Sequence, residues 1–374
     1  MIQKIFILLF IFGCSLPETK KDIGELLNVS LLVSGVHQNY YVDISNSFIP
    51  QEELNILFPL MKEHSDPVCE KVWGQKSHNI EVVHQFLNKD IFGKKPFDSW
   101  HHPLPKLIAG CWNFYKMNDK DPDHDFKLAE SFYPEVKKDC FSVGFMQPYF
   151  MSNILGCERI TVVDIDWRIH YGHFQLLNLF KQKAFLNSEM VEDSISLMDI
   201  GWVAFDNKIK SKVPSNIGLY CKTFHKELCE NTLLGFQNSI QKEKEFRLML
   251  SSLHEANYKK LENTISVIYF SNALEALYTS KEEFNKIYNS ISDSLKNSEK
   301  AVLIFHAGGR TAFGIYEMEK IGDKSELKTI CKDKYTATAQ GNTEITYKTY
   351  LDYKSSTKNP ASCLLEYKKR IKSL

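Results

Sequence analysis

The sequence has no excess of charge of either sign. Its 46 Lys and Arg residues are balanced by 46 Asp and Glu over 374 residues, for a formal net charge of zero. A general nucleic-acid binder draws its affinity from a basic surplus that displaces counterions from phosphates, and nothing here supplies that surplus. No Cys-x-x-Cys pair occurs among the nine cysteines, which removes the usual signature of zinc ribbons and thioredoxin-type redox sites. There is no Gly-x-Ser-x-Gly elbow, no phosphate-binding P-loop and no His-Glu-x-x-His pair, so the hydrolase, nucleotidase and metalloprotease classes built on them lose their main support. Internal repeats and low-complexity segments are also absent. What is present is a globular composition: 43% apolar and 13% aromatic residues, far from the low hydrophobicity of a disordered chain. The length suits one large domain or two ordinary ones.

The amino terminus carries an address. Met1 to Ser15 reads MIQKIFILLFIFGCS, with Lys4 as a positive first region, an unbroken apolar run from Ile5 to Phe12, then Gly13 and Cys14. Such a run is far short of the ~20 residues that cross a hydrocarbon core and suits the apolar region of a signal peptide. No later run approaches spanning length. Ile11-Phe12-Gly13-Cys14 resembles a bacterial lipobox, of the looser kind found in spirochaete lipoproteins because Phe12 is bulky. The resemblance implies a leader at 1–13, cleavage before Cys14 and acylation of Cys14, with residues 14–28 as a polar tether. Acyl chains contribute ~0.8 kcal/mol per buried methylene, so the implied partner is a membrane reached through the lipid anchor. The implied location is the cell envelope, at the outer membrane. The other reading is a secreted protein that loses Cys14 with its leader. Without Cys14 the cysteines are 69, 111, 140, 157, 221, 229, 331 and 363, an even set that an oxidising compartment allows to pair. Their spacing does not choose the pairs.

Residues 29–140 form a mixed, mainly helical region. Leu54, Leu57, Leu60 and Met61 have helical spacing, interrupted by Pro59, and residues 79–87 and 104–117 also read as helices. From Phe141 the pattern changes to short apolar runs at 160–163, 217–220, 265–270 and 301–305, which suit strands covered on both faces. Ser280 and Glu283 make a capping box ahead of Phe284, Ile287, Tyr288, Ile291 and Leu295, which repeat at helical spacing. Strand, helix, strand is a βαβ unit. The polar stretch Gln241 to Asn263 reads as an exposed helix or insertion, and Glu344 to Tyr353 as antiparallel strand. The expected fold class is α/β: a doubly wound, mostly parallel sheet at 141–317, with a helical region before it and a β-rich extension with antiparallel strands at 318–374.

The segment from Phe141 to Asp166, FSVGFMQPYFMSNILGCERITVVDID, reads as strand, glycine loop, helix and strand. Asp164 lies 20 residues beyond Gly144, the spacing at which nucleotide-binding α/β folds place an acid on a ribose diol. A carboxylate can accept hydrogen bonds from both hydroxyls. Here the chain resembles the class I S-adenosylmethionine-dependent methyltransferases over roughly residues 141–317. The resemblance implies that Gly144, Asp164 and Ser271 bind the cofactor S-adenosylmethionine, and that Asn272 acts beside substrate. The segment SNALE, 271–275, also resembles relatives that transfer the aminocarboxypropyl group of that cofactor to lipids. The chain departs from the family pattern where Ser142 replaces the acid of the first motif, and where Met146 and Pro148 replace its later glycines. Glycines there let the backbone approach a ligand without a Cβ clash, so the substitutions narrow or fill the pocket.

Three readings follow: a methyl or aminocarboxypropyl transferase, a domain that keeps the fold without the reaction, and a surface that binds a host or envelope protein or a lipid. Bland roles stay open for each residue. Asp164 is equally suited to capping a helix, Asn272 to a turn, and Gly144 to a turn alone. Asp119, Asp121, Asp123 and Glu130 match positions of a calcium loop but also suit a solvated acidic loop, since His124 stands where the glycine is needed. His101, His102, His124, His170 and His173 form no metal-binding motif and read as scattered surface or core histidines.

Overall fold

The strands of the central sheet arise where apolar side chains alternate onto two covered faces. In this computed structural model, residues 41–43, 122–164, 169–170, 173, 176, 180, 231–237, 244–274, 279–307, 312–333, 336–339, 343–346 and 349–372 are described. Residues 1–28, read as leader, Cys14 and tether, lie outside them, as do His101, His102, the segments expected to be helical at 50–63, 79–87 and 104–117 and the run at 217–220.

Eight strands form one sheet: β1 (Tyr41–Asp43), β2 (Lys138–Ser142), β3 (Arg159–Asp164), β4 (Glu245–Leu250), β5 (Ile265–Tyr269), β6 (Lys300–Ala307), β7 (Ala312–Ile321) and β8 (Lys324–Lys332). Their spatial order is β1-β4-β3-β2-β5-β6-β7-β8. The pairs β4/β3, β3/β2, β2/β5 and β5/β6 are parallel, whereas β1/β4, β6/β7 and β7/β8 are antiparallel. Counting only the parallel strands, the order is third, second, first, fourth, fifth, which is the doubly wound arrangement. The fold class is therefore as expected: α/β, mostly parallel, with antiparallel C-terminal strands.

Period-2 alternation explains why the central strands are buried throughout. Cys140, Ile160, Val162, Val267, Tyr269 and Ile304 face one layer, together with helices α1 (Pro122–Phe132) and α2 (Gln147–Leu155). Phe141, Val163, Ile268, Phe270, Leu303 and Phe305 face the other, with α3 (Lys281–Ser294). The capping box that starts α3 is formed as expected, with Ser280 Oγ accepting the Glu283 amide at 3.1 Å and the Glu283 carboxylate accepting the Ser280 amide at 2.8 Å. A disulfide joins Cys140 of β2 to Cys157, just past α2.

Three segments differ from expectation. The stretch 241–263 holds β4, an interior strand of the sheet. Its polar residues misled because they are neutralised locally: Arg247 pairs with Glu245 at 2.8 Å, while Phe246, Leu248 and Met249 are buried. Of the residues matched to a calcium loop, Asp123 and Glu130 lie in helix α1 rather than in a loop, while Asp119 and Asp121 lie outside the described residues. Pro122 suits the first helical position, and Phe126, Leu128 and Ala129 are buried. Asp123 pairs with Lys127, and Glu130 with Lys138, each at 2.8 Å. In the segment 344–353, residues 344–346 are strand, β10 (Thr343–Thr346), which pairs with β9 (Thr336–Ala339), and residues 350–353 belong to helix α4 (Tyr350–Lys354). Helix wins there because Thr349 and Asp352 form a second capping box.

The expected limit at 317/318 falls inside β7, and β8 continues the same sheet. Beyond α4 the chain runs along the exposed side of β8. Ser356 donates its amide to the Leu327 carbonyl and the Lys332 amide bonds the Ala361 carbonyl, both at 2.8 Å. Cys331 is then joined by a disulfide to Cys363 at the start of α5 (Cys363–Arg370). Covering an edge in this way removes a template for intermolecular pairing.

Candidate functional site at the switch point

In a doubly wound sheet, ligands bind outside the carboxyl ends of the strands where the order reverses. Here that point lies between β2 and β5. The last rung joins the Val143 amide to the Tyr269 carbonyl at 3.3 Å, and the two chains then part. The chain leaving β2 turns at Gly144 and enters α2. The chain leaving β5 turns at Ser271 and Asn272.

Gly144 has φ +78°, a conformation that glycine adopts without a Cβ penalty. A Cβ there would also come within 2.6 Å of Gln147 Oε1. The Gly144 amide donates to Asp164 Oδ2 at 3.2 Å, so the structure joins the two residues whose spacing pointed to a ribose site. The turn is held from its other side as well. His173 Nε2 lies 3.1 Å from the Gly144 carbonyl oxygen, and His173 Nδ1 lies 2.6 Å from the Tyr149 hydroxyl. A carbonyl only accepts, so Nε2 carries the ring proton and Nδ1 accepts from Tyr149. Burial, aided by nearby His170, pushes the His173 pKa down to about 3, and burial pushes that of Tyr149 well up. Both groups are therefore neutral, as this chain of hydrogen bonds requires. Phe145 stacks on the His173 ring at 4.6 Å. His170 Nε2 reaches the Asp164 carbonyl oxygen at 2.9 Å.

On the β5 side, Ser271 has φ +49°, uncommon for a residue with a Cβ. Its carbonyl accepts the His306 amide at 3.1 Å, which ties the turn to β6. Asn272 follows in the same turn and is partly buried. Gly144, Asp164, Ser271 and Asn272 thus share one end of the sheet, with a direct bond between the first two. Sequence reasoning missed Tyr149, His173 and Gln147. The three-residue spacing of His170 and His173, one helical turn, was the available signal.

The residues at the β2 turn do not fit S-adenosylmethionine as a glycine turn holds an adenosyl cofactor, which needs the backbone open to close approach. The Gly144 amide is bonded to Asp164, and Gln147 covers its α-carbon. Met146 and Gln147 are buried. Pro148 has no amide proton, and the Tyr149 and Phe150 amides both turn back to the Met146 carbonyl, at 3.1 and 3.3 Å. Among the described residues, no group of three or more His, Cys, Asp or Glu side chains is placed to hold a metal ion.

The sequence matches no protein-family model and no curated protein. Among solved structures, the chain is similar to an rRNA methylase from Streptococcus thermophilus, with 8% identity over 50% of this chain and 68% of that one and a TM-score of 0.21. It is also similar to an S-adenosylmethionine-dependent methyltransferase from Clostridium acetobutylicum, with 9% identity over 68% of this chain and 79% of that one and a TM-score of 0.24.

Proposed function

We propose that this protein is an envelope lipoprotein, anchored through Cys14, whose methyltransferase-type α/β domain binds a partner and does not turn over S-adenosylmethionine. The observation that carries this reading is the doubly occupied turn at Gly144, with Asp164 on its amide and Gln147 over its α-carbon. The groups that would receive a cofactor hold one another instead. Two disulfides, Cys140–Cys157 and Cys331–Cys363, support the export part of the reading, since such bonds persist in oxidising compartments.

Calorimetric titration of the mature chain with S-adenosylmethionine tests the domain's role. The expected result is no saturable heat and no thermal shift at millimolar ligand. Saturable binding that Asp164→Ala abolishes would overturn it and restore a transferase, with Asp164, Gly144 and Ser271 on the cofactor and Asn272 beside the substrate. The anchor is tested separately by palmitate labelling in a bacterial host, which Cys14→Ser should abolish.

A further inference from the structure

The balanced charge of the whole chain conceals a local imbalance at its end. Residues 349–372 contain Lys354, Lys358, Lys368, Lys369, Arg370 and Lys372, against only Asp352 and Glu366. Both acids are engaged within the fold: Asp352 with Lys332, and Glu366 with Arg370 at 2.9 Å. The same segment holds three of the five large apolar side chains that stand exposed among the described residues, namely Tyr353, Leu364 and Leu365.

Helix α5 organises this segment into two faces. Cys363, Tyr367 and Arg370 point inward, spaced as one helical stripe. Cys363 is disulfide-bonded, and Tyr367 lies on the His124 ring at 3.7 Å. Arg370 lies over Phe132 at 4.2 Å and donates to the Ser131 carbonyl. Leu364 and Leu365 are 47% and 64% exposed on the outward side. Lys368 and Lys369 follow them one turn later, also exposed, and Lys372 another turn on. The fold uses one side of α5 for anchorage and leaves leucines and lysines together on the other.

We propose that the outward face of α5 is a docking surface for an anionic lipid bilayer, with Leu364 and Leu365 entering the headgroup boundary and Lys368, Lys369 and Lys372 meeting lipid phosphates. Apolar residues flanked by cations are the combination that such an interface rewards. A nucleic-acid backbone would engage the lysines and leave the leucines in water. This contact is independent of acylation at Cys14 and of the state of the cofactor turn.

The test is vesicle co-sedimentation of the mature chain carrying Cys14→Ser, so that no acyl chain contributes. Vesicles of phosphatidylglycerol and phosphatidylcholine are compared with phosphatidylcholine alone. Binding is expected on the anionic vesicles and to fall steeply with added salt. Lys368→Glu with Lys372→Glu should weaken it by roughly fivefold or more for each lysine removed. Leu364→Ser with Leu365→Ser should weaken it by roughly tenfold, with an unchanged thermal melt because both side chains are exposed. Equal binding to both vesicle types, or binding untouched by either pair of substitutions, would overturn the proposal. So would capture by duplex DNA in the absence of vesicle binding.

Discussion

Helices α2 and α3 cover opposite faces of the same sheet and are held by different means. α3 begins at a formed capping box, buries Phe284, Ile287 and Ile291, and leaves its other face to solvent. Its ends and its inward side follow from residues within a few positions of one another. α2 begins at Met146, which makes no side-chain cap bond, and has Pro148 in its first turn. Most of it is buried, and Tyr149 packs edge-on against Phe236 at 4.7 Å and stacked over Phe246 at 5.8 Å. Those partners are more than eighty residues away in sequence. Isolated helices of this length are marginal in water, so α2 depends on the protein around it, whereas α3 carries its own start signal. The element beside the candidate site is the dependent one.

The largest test of that contrast is Phe150→Ala. The side chain is fully buried in α2, and its loss should cost about 4 kcal/mol in urea-induced unfolding. A loss below about 1 kcal/mol would show that α2 does not rely on long-range packing.

Acid should act next, through His173. The unfolded ring takes up a proton near its ordinary value of 6.5, and the folded ring only at about 3. Below pH 6.5 the unfolded state therefore binds more protons, and stability falls as pH falls. Each pH unit well inside that window costs about 1.4 kcal/mol, which amounts to roughly 2.5 kcal/mol between pH 6 and 4. His173→Gln should flatten that part of the stability profile. An unchanged slope would mean that burial does not hold the imidazole neutral in the folded protein.

The smallest effect concerns the locally encoded helix. Ser280→Ala removes the cap of α3 and should cost about 1 kcal/mol by thermal melting, while leaving the acid sensitivity attributed to His173 in place. A cap effect that altered that acid slope would contradict the independence of the two faces.

The strands at 160–163, 265–270 and 301–305 were legible because each is a short apolar run with both faces covered, and α3 was legible through Ser280 and Glu283. Gly144 and Asp164 were legible as a pair through their spacing. β4 was not, because Glu245 and Arg247 hide an interior strand behind charges that cancel only once the chain has folded. α1 was misread because its carboxylates resemble ligands until Lys127 and Lys138 are seen to neutralise them. The contact of Tyr149 with His173 spans 24 residues, and nothing local to either residue announces the other. The covering of β8 by residues 355–361 is likewise a product of tertiary placement.

By itself, the sequence determined the alternation that builds the parallel strands, the capped helix α3, and the glycine turn with its acid. These are local: periodicity, capping and turn chemistry act within about twenty residues. Only the tertiary structure decided what that turn contains. Gly144 became a closed junction because Asp164, Gln147 and His173, separated from one another in sequence, converged on it.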